Sequence, residues 1–368
     1  MSGVKTRLCE YDGFDFDAFF GRLSLKDVDR VLDKARLSPE DYLILLSPVA
    51  VERLEEMARR AQTETSRHFG RTIQMFAPLY VSDYCVNTCV YCGFNKTNEF
   101  SRRQLSMEEV DKEARIISDT GIKHILLLTG EHPEKTTLSY IADCVRVLKR
   151  YFSSISIEVY ALTEEQYKVL VDAGVDGMTM YQEVYREDIY RALHPSGPKR
   201  DYAFRLDAPE RACRAGMRTV TIGALLGLAP WRQEAFFTGL HAAYLQSRYP
   251  SVEQQIAPPR LRPCSGRFQT ASPVNDVDLV QYILAYRIFM PHSGIGLSTR
   301  ERGELRDRLI NLGITRMSAG VSTAVGGYSK ENREGQFEPA DGRSVEEIRS
   351  MLKASGYQPV FQDWYYLF

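Results

Sequence analysis

Three cysteines within eight residues, Cys85, Cys89 and Cys92, form the group in this chain best suited to chemistry. They stand in Asp83-Tyr84-Cys85-Val86-Asn87-Thr88-Cys89-Val90-Tyr91-Cys92-Gly93-Phe94, a Cys-x3-Cys-x2-Cys spacing. Thiolates are soft ligands for zinc or iron–sulfur clusters. A structural zinc site uses four protein ligands and an electron-transfer cubane four cysteines. Three thiolates leave one metal position open to a reactant. Competing readings are a buried trio without metal, and a zinc knuckle completed by His68, His124 or His132, none at finger-like spacing. A disulfide framework fits poorly, because seven cysteines are an odd number and no secretory segment is evident.

These residues must be positioned by the rest of the 368-residue chain, which is 44% hydrophobic and 26% charged, a globular composition. Forty-seven Lys plus Arg nearly balance 48 Asp plus Glu, so no global field favours nucleic acid or anionic lipid. No apolar run reaches the length of a membrane span, and the first twenty residues lack a basic region followed by an apolar core. The expectation is a cytoplasmic protein with reduced thiols.

Residues 1–74 read as a helical extension, with Ser38 as an N-cap and Pro39 in the first turn. From about Met75 short apolar runs alternate with amphipathic stretches. Eight runs are candidate strands: Phe76–Tyr80, His124–Thr129, Ile155–Ala161, Gly177–Tyr181, Val220–Leu225, Gln255–Pro259, Gly294–Ser298 and Ile314–Ser318. Ser106-x-x-Glu109 and Thr163-x-x-Gln166 are capping boxes for intervening helices. This alternation predicts an α/β fold, a parallel (β/α)8 barrel over 75–318, with a six-unit partial barrel as the alternative. Residues 319–368 should form a glycine-rich loop, a helix starting at Ser344-x-x-Glu347, and an aromatic tail, Phe361 to Phe368, packed on the barrel. Cys144 and Cys213 read as helix-core residues. Gly223-x-x-x-Gly227 is too weak to assign a phosphate.

A barrel enzyme gathers its polar groups at the C-terminal strand ends. There the sequence places the cysteine loop, Thr129-Gly130-Glu131, Gln182-Glu183, Arg260 and Arg262, Thr299-Arg300-Glu301, and Ser318. Arginines suit carboxylates, since the planar guanidinium grips both oxygens. His194, before Pro195-Ser196-Gly197-Pro198-Lys199, reads as either a mouth-loop or a structural residue.

Together these motifs resemble the aromatic amino-acid lyases of the radical S-adenosylmethionine (SAM) superfamily, and among them the tyrosine lyases of thiamine biosynthesis. The resemblance runs from about Met75 to Trp364. Its carriers include the cysteine loop, Leu126–Glu131, Tyr181–Tyr185, His194–Arg200, Pro259–Pro263, Leu297–Glu301, and Met317–Gly320 leading into Gly326-Gly327-Tyr328. It implies that Cys85, Cys89 and Cys92 hold a 4Fe-4S cluster whose fourth iron binds SAM, with Tyr91 near the adenine. Thr129, Gly130 and Glu131 would receive the SAM amino group, with Thr in place of the usual first glycine. Glu183 would lie near the ribose or methionine part, Arg260 or Arg262 near the SAM carboxylate, and Arg300 and Ser318 would hold the substrate carboxylate.

The implied reaction cleaves the Cα–Cβ bond of L-tyrosine to dehydroglycine and p-cresol, with 5′-deoxyadenosine and methionine formed from SAM. Thiazole synthase is the implied partner, and flavodoxin or ferredoxin the implied reductant. The last cysteine is Cys264, so the second cluster of the hydrogenase-maturation relatives is not expected. Tryptophan lyases share the Arg300 and Ser318 elements but lack the Tyr91-Cys92-Gly93-Phe94 form. A non-catalytic iron–sulfur carrier or a zinc-stabilised module would need none of the strand-end charges.

Overall fold

The computed structural model describes residues 3–262, 268, 270, 272–329 and 335–363. Cys264 and residues 364–368 of the aromatic tail lie outside the described residues. Eight parallel strands close a barrel: β1 (Thr72–Ser82), β2 (His124–Thr129), β3 (Ser154–Glu158), β4 (Gly177–Glu183), β5 (Thr219–Ala224), β6 (Glu253–Ile256), β7 (Gly294–Leu297) and β8 (Arg316–Ser318). Each pairs with its successor, and β1 joins β8 on one edge and β2 on the other.

Alternation within the strands sets the two faces of the wall. In β1, Ile73, Met75, Ala77, Leu79 and Val81 are all 1% exposed or less and share one side of the pleat. In β3, Ile155 and Ile157 are separated by Ser154, Ser156 and Glu158. The other side faces the lumen, where Thr221 Oγ1 meets Gln255 Oε1 at 3.3 Å and the Arg316 guanidinium lies 4.5 Å from the Phe76 ring centre. Gly223 leaves room there, since a Cβ would stand 2.2 Å from the Ala257 carbonyl oxygen. Such packed layers make a barrel interior a core rather than a channel.

The capping boxes at Ser106, Thr163 and Ser344 all form, and each starts a helix that covers the barrel or its C-terminal edge. Cys144 and Cys213 are buried in helices. Residues 3–69 are mainly helical and pack on the flank of the barrel. Tyr42 stacks on Phe289 with ring centres 4.5 Å apart, and its hydroxyl donates to the Ala235 carbonyl at 3.0 Å. Gly239 permits this approach, because a Cβ there would stand 2.3 Å from the Tyr42 ring. Within this helical extension a 3-10 turn, Pro48–Arg53, leads into an α-helix at Leu54–Phe69.

One strand escapes the sequence reading. β9 (Gln358–Val360) pairs in parallel with Thr72–Gln74, the first residues of β1. It is three residues long and contains a proline, which leaves almost no alternation to read and confines it to an edge. Lys123 N donates to the Phe361 carbonyl at 3.2 Å, so this segment also reaches the start of β2. No helix among the described residues is long and apolar enough to cross a membrane.

Candidate active site at the barrel mouth

The cysteine loop leaves the end of β1 and is strapped down by its own sequence. Arg102 donates to the carbonyls of Asp83 at 2.7 Å, Phe94 at 3.0 Å and Asn95 at 2.6 Å. The backbone N–H of Val86 donates to the Glu131 carbonyl at 2.8 Å, and that of Cys92 closes a turn on Cys89 at 3.2 Å. Gly130 lies so close to this loop that a Cβ would stand 2.3 Å from the Tyr84 carbonyl oxygen. Glycine is therefore required by close backbone approach. Thr129, which precedes it, turns its hydroxyl onto the Gly130 carbonyl at 2.7 Å.

All three cysteines are free thiols. Burial pushes the Cys89 thiol up to about 11 and that of Cys92 up to about 12; Lys199 opposes this and the neighbouring thiols add to it. Among the described residues no three His, Cys, Asp or Glu side chains already stand at the spacing of a closed metal site. Protonated thiols have no electrostatic reason to converge, and metal binding is coupled to loss of their protons. The donor set fits a three-thiolate cluster: three free thiols on one anchored loop, mutually within electrostatic reach, with Cys92 on the wall of a cavity.

Asn87, 2% exposed, ties three loops together. Its Nδ2 donates to Glu131 Oε2 at 2.6 Å and reaches Cys85 Sγ at 3.5 Å, while its Oδ1 accepts from Lys199 N at 2.9 Å. Gly197, at φ +96°, makes room, since a Cβ there would collide with Asn87. Neither Asn87 nor Lys199 stood out in the sequence. The signal available was the polar residue inside the cysteine motif and the lysine after Ser-Gly-Pro.

Glu183 is the one non-glycine residue with positive φ among the described residues, at +69°, where β4 bulges against β5. Burial alone would raise its pKa, but Lys199 Nζ at 2.7 Å and Arg205 at 3.4 Å reverse this and hold it below the usual carboxylate range. Tyr91 shares a 2.8 Å hydrogen bond with His194 Nε2. The other ring nitrogen of His194 faces the Tyr190 carbonyl at 2.7 Å and so carries the proton, leaving Nε2 to accept from the tyrosine. Burial and Lys199 bring the His194 pKa down to about 3, so the ring is neutral.

A cavity of about 80 Å³ opens between these groups, lined by Tyr91, Cys92, Glu158, Tyr181, Glu183, Lys199, Arg262, Arg300 and Phe337 among others. The structure thus brings Tyr91, Cys92, Glu183, Arg262 and Arg300 together. Thr129, Gly130 and Glu131 brace the cysteine loop rather than the cavity wall. Arg260 is engaged elsewhere: it grips Glu301, meets Asp276 Oδ1 at 3.0 Å and donates to the Val274 carbonyl at 3.1 Å. Ser318 ends β8 outside that wall, with its hydroxyl buried and unpartnered. Its carbonyl accepts from the fully buried Arg306, which also pairs with Asp341. Glu158, half-open to the cavity at the end of β3, was not foreseen as a site residue.

Residues 319–329 and 335–343 close over one side of the mouth. Glu113, 1% exposed, accepts the backbone N–H groups of Tyr328 and Ser329, both at 2.9 Å. The Tyr80 hydroxyl donates to Gln336 Oε1 at 2.9 Å, and Phe337 offers its ring to Arg300 at 3.7 Å.

Comparison with known proteins agrees with this geometry. Residues 79–234 match the radical SAM superfamily, and residues 257–358 match the Biotin and Thiamin Synthesis associated domain. The chain is 41% identical over 340 residues to the 2-iminoacetate synthase of Salmonella typhimurium, spanning 92% of this chain and 90% of that one. It is 40% identical over 366 residues to the Escherichia coli 2-iminoacetate synthase, spanning 98% and 97%. Among solved structures, the FeFe-hydrogenase maturase HydG from Carboxydothermus hydrogenoformans superposes with a TM-score of 0.91 at 31% identity, covering 99% of this chain and 86% of that one. With its parallel barrel, its three-cysteine loop and this full-length identity, the chain belongs to the 2-iminoacetate synthase family of radical SAM enzymes.

Proposed function

We propose that the protein cleaves the Cα–Cβ bond of L-tyrosine, giving 2-iminoacetate and p-cresol for thiamine thiazole synthesis. The observation that carries this is near full-length identity to two 2-iminoacetate synthases, joined to a mouth cavity that sets Arg300 beside Tyr91 and Cys92. Cys85, Cys89 and Cys92 would hold the 4Fe-4S cluster, and Tyr91, Glu183 and Arg262 would contact SAM. When bound, cluster and SAM supply a 5′-deoxyadenosyl radical, which takes a hydrogen atom from the substrate amino group.

The protein's own work is placement. Arg300 meets the substrate carboxylate with a bidentate grip. Its guanidinium rests on Phe337, which fixes the plane of the fork. Ser318, outside the wall of the mouth cavity, would join Arg300 only by turning its buried, unpartnered hydroxyl toward the carboxylate. Arg262, whose Nε is likewise buried without a partner, is better placed than Arg260 for the SAM carboxylate, because Glu301 and Asp276 already occupy Arg260. Thr129, Gly130 and Glu131 hold the cysteine loop in position and present Glu131 beside it. Gln336 and Phe337, which cover one side of the mouth, keep water from the reacting atoms.

Because 2-iminoacetate hydrolyses readily, thiazole synthase is the partner that would consume it, and flavodoxin or ferredoxin the electron donor. The test is anaerobic turnover of cluster-reconstituted protein with SAM and reductant, with tyrosine and tryptophan offered separately. Tyrosine-dependent p-cresol with 5′-deoxyadenosine is the expected result. 5′-Deoxyadenosine with an indole product from tryptophan, and no p-cresol from tyrosine, would replace the substrate and keep the chemistry.

A further inference from the structure

Glu158 and Arg300 are opposite charges on the wall of one small cavity. Among the described residues neither side chain makes a hydrogen bond or an ion pair, although Arg300 is the strongest opposing charge acting on Glu158. Two such groups would ordinarily close on each other, since a buried charge left unpaired is costly. Here each is held apart. Glu158 is fixed by the pairing of β3 with β2, and Arg300 leans on Phe337. The free α-amino acid group is the complement of this arrangement, with a carboxylate and an ammonium on one carbon atom.

Resting on the tyrosine reading, we propose that Glu158 is the receptor for the substrate's α-ammonium group and takes one of its protons. The transfer is balanced within the pair. An N–H bond of the ammonium breaks heterolytically, the proton bonds to a Glu158 carboxylate oxygen, and the electron pair stays on nitrogen. The neutral amine is the form from which a hydrogen atom is then removed. Burial, only partly countered by Arg300, raises the Glu158 pKa to about 7, which strengthens it as a proton acceptor. The charges facing it from neighbouring strands and loops are Arg300, Glu183, Lys199 and Arg205. Lys199 and Arg205 are both committed to Glu183, which leaves Glu158 free for the ligand.

The test is binding rather than turnover, on cluster-reconstituted protein with SAM and no reductant, by anaerobic calorimetry at pH 8. Two ligands are compared, L-tyrosine and 3-(4-hydroxyphenyl)propanoate, which lacks only the amino group. Glu158→Gln is expected to weaken tyrosine roughly 10- to 100-fold, the range for losing a charged hydrogen-bond partner, and to leave the desamino compound within about threefold. Retained binding of the desamino compound shows that the variant is folded, and Glu158→Asp should recover part of the tyrosine affinity. Equal losses for both ligands would overturn the proposal and move Glu158 to the phenol end. No loss for either would also overturn it, with the tyrosine reading intact. Failure of the wild-type protein to bind tyrosine at all would instead sink the reading on which it rests.

Discussion

Arg260 and Arg300 follow successive barrel strands, and both read from sequence as carboxylate ligands, yet the fold uses them in opposite ways. Arg260 is held by Glu301, the residue next to Arg300, and by Asp276. Arg300 has an aromatic ring beneath it and open space before it. A charge completed by its own protein is architecture, whereas a charge held without a partner is kept for something that arrives. Among the described residues Glu158, in turn, lacks the ion-pair partners that Lys199 and Arg205 give Glu183.

The largest expected effect comes from removing a cysteine of the loop that Arg300 faces across the cavity. Cys92→Ser should abolish 5′-deoxyadenosine formation and the visible iron–sulfur absorbance after reconstitution; a normal spectrum with SAM cleavage would refute the ligand assignment. Arg300→Met comes next. Tyrosine cleavage should fall by about 100- to 1,000-fold through lost orientation, with the melting temperature nearly unchanged. Arg260→Met should show the reverse balance. It strands Glu301, whose side chain is 4% exposed, and should cost about 3–5 kcal/mol in denaturant unfolding. If the two variants behaved alike in stability and turnover, the division between them would be lost.

A pH titration sharpens the comparison at smaller scale. Burial works against the charge on Asp341, but Arg343 and Arg306 outweigh it and hold its pKa down to about 2. A depressed carboxylate contributes stability that is present above its unfolded pKa, near 4, and lost as pH falls toward 2. Protection of amides in residues 335–343, taken relative to intrinsic exchange at each pH, should therefore fall between pH 4 and 2, and Asp341→Asn should remove that dependence. The smallest effect is Tyr91→Phe, which deletes the bond to neutral His194 and should cost about 1 kcal/mol.

Much of this was legible in the residues. β2 runs over the expected span, and the capping boxes at Ser106, Thr163 and Ser344 announced their helices, because short-range spacing alone determines them. The convergence of strand-end residues followed from the barrel topology. What stayed hidden depends on contacts across long separations. Asn87 matters because Lys199 comes to it from 112 residues away. The engagement of Arg260 depends on Glu301, 41 residues on, and no local pattern reveals which arginine an acid will choose. Glu158 looked like one polar residue in an alternating strand.

The pairing of β9 with the first residues of β1 has a consequence for how the protein is made. The opening strand emerges from the ribosome nearly 290 residues before the partner that covers its lower edge. At roughly 5–20 residues per second, that edge waits for roughly 15–60 s, an interval in which an apolar strand can recruit the wrong neighbour. Chains that end between Ser318 and Gln358 should accordingly be more protease-sensitive and more chaperone-bound than those that include Val360.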